Sequence, residues 1–213
     1  MAYQTLCTHI ADIARNCNRD PDEITTIAVS KGSPISSILP LYNDGCRHFG
    51  ESRMPEALEK MSSTPQDIEW HLIGTLQKNK VRKAVEKFTL IHSVDTLELA
   101  QKISSCSSEL SKTTAILLQV NTSLEASKHG FTEEDYLHQS EAIMKLPSIK
   151  VEGLMTIAPN TTDTALVRKC FKKLRILRNK LGLKHLSMGM SQDYTIALEE
   201  GSTLLRLGSL LFS

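Results

Sequence analysis

A parallel (β/α)8 TIM barrel is the fold that this sequence predicts, and three observations point to it. Eight short apolar stretches recur along the chain, and helical patterns separate them. Strands that alternate with helices pair in parallel through right-handed crossovers, and about eight such units close on themselves. The length of 213 residues suits one such barrel, and no linker or low-complexity tract interrupts the rhythm. Residues 1–213 are therefore expected to form a single barrel domain.

The elements follow in order. Leu6, Ile10 and Ile13 recur at helical spacing before Asn18-Arg19-Asp20-Pro21, which predicts an opening amphipathic helix that stops there. TTIAV (25–29) suits a buried strand, and Gly32-Ser33-Pro34 cannot continue it, so Lys31 falls at its carboxyl end. ILPLYNDG predicts a short helix stopped by Asp44-Gly45, and RHFG (47–50) a second strand. Further strands are expected at IEWHLIG (68–74), TLIHSV (89–94), AILLQV (115–120), VEGLMTI (151–157), KHLSMG (184–189) and TLLRLG (203–208). The clearest intervening helices are 95–105, 133–146 and 163–181, and the Ser- and Thr-rich segment 104–114 reads as a loop.

Composition narrows the function classes. Twenty-five Lys and Arg against 24 Asp and Glu leave a formal charge of +1, which gives no general electrostatic case for nucleic acid or an acidic membrane. The basic run in WHLIGTLQKNKVRK lacks interleaved aromatics and reads as a solvated helix face. Five cysteines form no close pair and no metal-type spacing, which fits a reducing cytoplasm. No apolar run approaches the roughly 18 residues of a membrane span.

Loops after the strands of a parallel barrel share one face, and that face holds the active site. Reading only those positions collects Lys31, Glu51, Ser52, His71, Gly74, Gln77, His92, Asn121, Met155, Thr156, residues 187–191, Arg206, Gly208 and Ser209. Lys31 has two explanations: a snorkelling side chain that covers the core, or an amine in partial burial that forms a Schiff base with a carbonyl. SMGMSQD and RLGS put Gly189, Ser191, Gly208 and Ser209 on the last two strand loops, where barrels often build a phosphate site. His71 and His92 lie within apolar strand patterns and read as hydrogen-bonded core histidines, so no metal is expected.

AVSK, FGES, WHLIGTLQKNK, IHSVD, QVN with SKHGF, GLMTIAP, LSMGMSQD and EGSTLLRLGSLLF occur in order across nearly the whole chain. In this the sequence resembles the pyridoxal 5'-phosphate homeostasis protein family, free-standing relatives of the alanine racemase N-terminal barrel domain. The resemblance implies a pyridoxal 5'-phosphate (PLP) protein with Lys31 as the Schiff-base residue. By position, Ser191, Gly208 and Ser209 would hold the phosphate, Arg206 would face the cofactor, and Met155, Met188 and Met190 would line the pocket. Ser52 stands where the family usually has Asn, and Ser209 where it usually has Thr; the second change keeps the hydroxyl.

An arginine at the ring nitrogen can only donate a hydrogen bond, which weakens the electron sink. Racemisation also needs an acid–base group on each face of the substrate carbon, whereas Lys31 serves one. Tyr194 is the nearest aromatic alcohol, inside an expected helix, and no second domain is expected within these residues. The leading reading is a non-catalytic protein that binds PLP, exchanges it or its amino-acid adducts, supplies apo-enzymes and works as a monomer with an open mouth. A PLP-dependent amino-acid racemase, and a Schiff-base aldolase that uses Lys31 without a cofactor, are the alternatives.

Overall fold

A computed structural model describes residues 2–123, 125 and 129–212. Its eight strands are β1 (Thr25–Val29), β2 (His48–Glu51), β3 (Glu69–Leu72), β4 (Leu90–Val94), β5 (Thr114–Gln119), β6 (Ile149–Met155), β7 (His185–Ser187) and β8 (Leu204–Leu207). All pair in parallel in sequence order, and β8 returns to β1 with Ile27 opposite Arg206, so the sheet closes as a barrel. The parallel barrel read from the sequence is the observed fold.

Helices cover the outside: α1 (Tyr3–Asn16), α2 (Ile38–Asn43), α3 (Met54–Ser62), α4 (Val81–Lys87), α5 (Leu97–Glu109), α6 (Glu133–Met144), α7 (Thr164–Lys180), α8 (Tyr194–Glu199) and the short α9 (Ser209–Phe212). Local chemistry sets several starts. Thr96, Thr132 and Asp163 accept backbone N–H groups of the first turns of α5, α6 and α7, satisfying donors that the helix itself leaves unpaired. In α1 the expected apolar stripe is present, with Leu6, Ile10 and Ala14 buried and Ile13 half-buried.

One expectation fails here. Segment 104–114 is not a loop throughout, because α5 runs on to Glu109. Its serines keep their hydroxyls occupied: Ser107 and Ser108 donate to the carbonyls of Ile103 and Ser104, and Ser104 donates to Pro147. Hydroxyls bonded back to the preceding turn fit a helix that composition alone reads as a break.

Strand alternation divides the core. Ala28, Phe49, Trp70, Leu72, Ile91, Leu154, Leu186 and Leu205 join the helices in the outer core, whereas Ile27, Leu90, Leu117, Met155 and Leu204 form a separate cluster inside the barrel. The inner cluster does not fill the interior. The remaining inward positions are polar, and they lead to the candidate site.

Candidate functional site

The carboxyl end of β1 is anchored by charge. After Val29, the amide of Ser30 donates to the Gly50 carbonyl, and Gly32, at φ +74°, makes the turn that displays Lys31. Behind this turn Lys60 of α3 reaches in and donates to the Ser30 carbonyl (2.6 Å) and to Glu51 Oε1 (2.5 Å), while Ser30 Oγ donates to the same carboxylate oxygen (2.6 Å). Glu51 is fully buried and Lys60 nearly so, so this ion pair sits beyond the screening of solvent. Lys31 itself is exposed rather than in partial burial, and it makes no hydrogen bond or ion pair among the described residues.

β8 lies beside β1 and carries Arg206 inward. Its guanidinium is buried, donating to Ser187 Oγ (2.7 Å) and to the Thr156 carbonyl (2.9 Å). Burial pushes the Arg206 pKa down to about 10, a shift that nearby Asp193 partly offsets. Past Leu207, Gly208 comes against Val29 of β1, so the turn after β8 and the Lys31 turn share one rim. Ser191 accepts a hydrogen bond from the Leu210 amide (3.4 Å), which joins the β7 loop to the start of α9. The Met190 amide donates to Asp193 Oδ1 (2.6 Å), and Gly189, at φ +95°, shapes the same loop; a side chain there would also collide with Ala197.

Across the mouth lies a cavity of about 330 Å³ lined by Ser52, Gly74, Gln119, Asn121, His129 and Thr156, among others. Gly74 lies hard against the Ser52 backbone, where an added Cβ would fall 2.3 Å from the Ser52 oxygen. Arg206 reaches this cavity through its bond to Thr156. Ser127 and Lys128 of the SKHGF stretch lie outside the described residues.

The site residues expected from the sequence thus fall into two groups. Lys31, Ser191, Arg206, Gly208 and Ser209 gather on the β1, β7 and β8 ends, and Ser52 lines the cavity opposite. The three methionines expected to line the pocket lie in different surroundings. Met155 is buried in the inner cluster, and Met188 is buried in the outer core because Ser187, one residue earlier, takes the inward position. Met190 is exposed. The basic run is ion-paired at its surface: Lys78 meets Glu98, and Arg82 meets Glu86 and Glu109.

Sequence reasoning missed the Glu51–Lys60 pair and a polar seam inside the barrel. Ser187 Oγ meets His92 Nδ1 (2.8 Å), His92 Nε2 meets His71 Nδ1 (3.0 Å), and His71 Nε2 meets His48 Nδ1 (3.1 Å). Burial drives the pKa of His92 well down and that of His71 to about 3, with each neighbouring histidine adding to the effect. Strand register carried the signal: β2 pairs His48 with Glu69 and Gly50 with His71, which sets these residues at inward positions of adjacent strands.

Comparison with known proteins places this geometry. The family described as alanine racemase, N-terminal domain, matches residues 9–213, and the chain belongs to it. Solved alanine racemase from Clostridium difficile shares the fold at 17% identity, with a TM-score of 0.75 over 96% of this chain and 55% of that one.

Within that class the chain belongs to the pyridoxal phosphate homeostasis protein family. It is 41% identical over 193 residues to the Aquifex aeolicus protein of that name (87% of this chain, 85% of the relative). It is 39% identical over 210 residues to that of Pseudomonas aeruginosa (97% and 91%). The structure of PipY from Synechococcus elongatus with PLP bound superposes with a TM-score of 0.84 at 36% identity, covering 96% of this chain and all of that one. Among the described residues no helix is long and apolar enough to cross a membrane.

Proposed function

We propose that the single barrel binds PLP at the rim shared by β1, β7 and β8 and acts in PLP homeostasis, holding the cofactor through Lys31 and releasing it to apo-enzymes in the cytoplasm. The observation that carries this reading is the junction of β1 and β8, where Lys31 and the Gly208 turn are adjacent and Arg206 lies buried below. Gly208 supplies the test of fit. Its backbone is outside the left-handed region, and an added Cβ would meet nothing closer than the Val29 oxygen at 3.5 Å. The fold does not demand glycine there, so the open space beside the start of α9 suits a phosphate group that a side chain would crowd. PipY, at 36% identity, has been solved with PLP bound, which supports PLP as the ligand.

When bound, PLP supplies an aldehyde for a covalent link and an electron-withdrawing ring. Ser191 and Ser209 offer hydroxyls to the phosphate, and Ser52 lies across the mouth. Arg206 would orient the ring by donating to its nitrogen. A guanidinium has no proton to give up at neutral pH, so it leaves that nitrogen an acceptor and the sink weak. Tyr194, the aromatic alcohol that a racemase reading would recruit, packs its ring edge-on to His9 of α1 with centroids 6.3 Å apart, which supports the carrier reading.

The test is borohydride reduction of protein loaded with PLP, peptide mapping of the adduct, and timing of apo-enzyme reactivation by unreduced protein. The expected result is one adduct on Lys31, absent in Lys31→Ala, with reactivation faster than free PLP at matched concentration gives. An adduct on another lysine would overturn the site. Amino-acid racemisation at enzymatic rates would overturn the carrier role in favour of a racemase.

A further inference from the structure

We propose that His48, Glu69 and His71 form a zinc-class divalent metal site at the amino-terminal end of the barrel, opposite the cofactor mouth. One ligand atom from each of the three residues lies within 4.8 Å of the others. His48 Nδ1 is 3.1 Å from His71 Nε2 and 3.6 Å from Glu69 Oε2. Two ligands of a tetrahedral zinc ion at about 2.0–2.1 Å stand roughly 3.3 Å apart, so both separations match an edge of that tetrahedron.

Hydrogen-bond accounting shows how a cation would fit there. Arg206 can only donate, so it donates to Ser187 Oγ. In one tautomer arrangement Ser187 gives its one proton to His92 Nδ1, His92 Nε2–H donates to His71 Nδ1, and His71 Nε2–H donates to His48 Nδ1. His48 Nδ1 is left with its lone pair engaged and a carboxylate oxygen 3.6 Å away with no proton between them. A metal ion turns this opposition into ligation by taking His48 Nδ1, His71 Nε2 and a Glu69 oxygen.

Access and support are also present. His48 lines a second cavity, of about 310 Å³, together with Tyr3, Cys7 and Thr25, and the Glu69 side chain is half-exposed, so a metal can enter and a water can complete the shell. His71 is held from behind by His92, the kind of partner that orients a ligating imidazole. Metal on His71 Nε2 moves that ring's proton to Nδ1. Its Nδ1–H then donates to His92 Nε2, and His92 carries its own proton on Nδ1 toward Ser187. Every ring stays neutral and no proton is released: Ser187 Oγ then accepts from both His92 and Arg206 and turns its own O–H away from His92, so the seam reverses up to Ser187.

The experiment titrates the whole chain without PLP, first with Co2+ and then with Zn2+, in wild type, His48→Gln and Glu69→Gln. Both substitutions lie at the barrel rim, away from the Lys31 face. Expected are saturable one-to-one binding, a tetrahedral visible band without thiolate charge transfer, displacement of Co2+ by Zn2+, and about tenfold or greater loss of affinity in each variant. In parallel, 15N spectra of histidine-labelled protein should show His92 changing from the Nε2–H to the Nδ1–H tautomer as Zn2+ saturates. Absence of saturable binding, or wild-type affinity in either variant, would overturn the site, and an unchanged His92 tautomer would overturn the reversal of the seam. None of these readouts involves PLP, so failure here leaves the cofactor reading standing and failure there leaves this one.

Discussion

Replacing Lys60 with methionine removes a charge that the Lys31 turn rests on. The ammonium lies 2.5 Å from Glu51 Oε1 and 2.6 Å from the Ser30 carbonyl, and the two side chains are 7% and 0% exposed. Methionine fills a similar volume but leaves the Glu51 carboxyl group buried with only the Ser30 hydroxyl, and Glu51 Oε2 already lacks a partner. Breaking one side of a buried pair costs about 3–5 kcal/mol, because the remaining charge loses its compensation. For a chain of this size each kcal/mol moves the melting temperature by about 2–4 °C, so Lys60→Met should melt about 6–20 °C below wild type. Urea denaturation of wild type, Lys60→Met, Glu51→Gln and the double variant closes a double-mutant cycle, and the double variant should recover at least half of the loss. The same release of the Ser30 carbonyl should weaken PLP capture by Lys31. A loss below about 1 kcal/mol, or strictly additive effects of the two substitutions, would refute the claim that the pair is desolvated and coupled.

Two further outcomes test the rim and the barrel floor. Gly208→Ala should keep or slightly raise thermal stability, by up to about 1 kcal/mol, because the site tolerates a Cβ and the unfolded chain loses freedom. The preference for PLP over pyridoxal, measured by equilibrium titration, should nevertheless narrow; an unchanged preference removes phosphate from that turn. His185, at the start of β7, has its pKa lowered chiefly by burial. A depressed histidine contributes stability that is full above the unfolded pKa near 6.5 and is lost as pH falls toward the folded value, since the unfolded state takes the proton first. The slope is at most about 1.4 kcal/mol per pH unit, and urea midpoints at several pH values below 6.5 should fall less steeply in His185→Gln than in wild type.

Much of the barrel was legible because inward and outward positions alternate in plain view. TLLRLG shows a charge at an inward position between leucines, which marks Arg206 without any structure. The same parity, applied one residue further along LSMGM, would have turned Met188 outward and Ser187 inward. Other features were hidden for physical reasons. Lys60 stands on α3, and only the tertiary approach of that helix to the Ser30 turn buries it. The histidine seam needs the register of β2, β3 and β4, which periodicity does not supply. Serines of α5 looked like a loop because composition does not say whether a hydroxyl bonds its own helix or water.

The interior of this barrel sets one apolar cluster beside a polar seam, and the seam is the less economical choice. Hydrophobic replacement of buried polar groups is often neutral or stabilising, whereas a partly satisfied network is worse than an apolar core. The seam runs from Arg206 through Ser187, His92 and His71 to His48, with hydrogen-bonding contacts of 2.7–3.1 Å at every step. At one end stands a residue that can only donate, and at the other the seam ends beside a carboxylate. A chain with fixed polarity at one terminus and a titratable or ligatable group at the other has two arrangements of protons within one arrangement of heavy atoms. The seam joins the face proposed for PLP to the face proposed for metal.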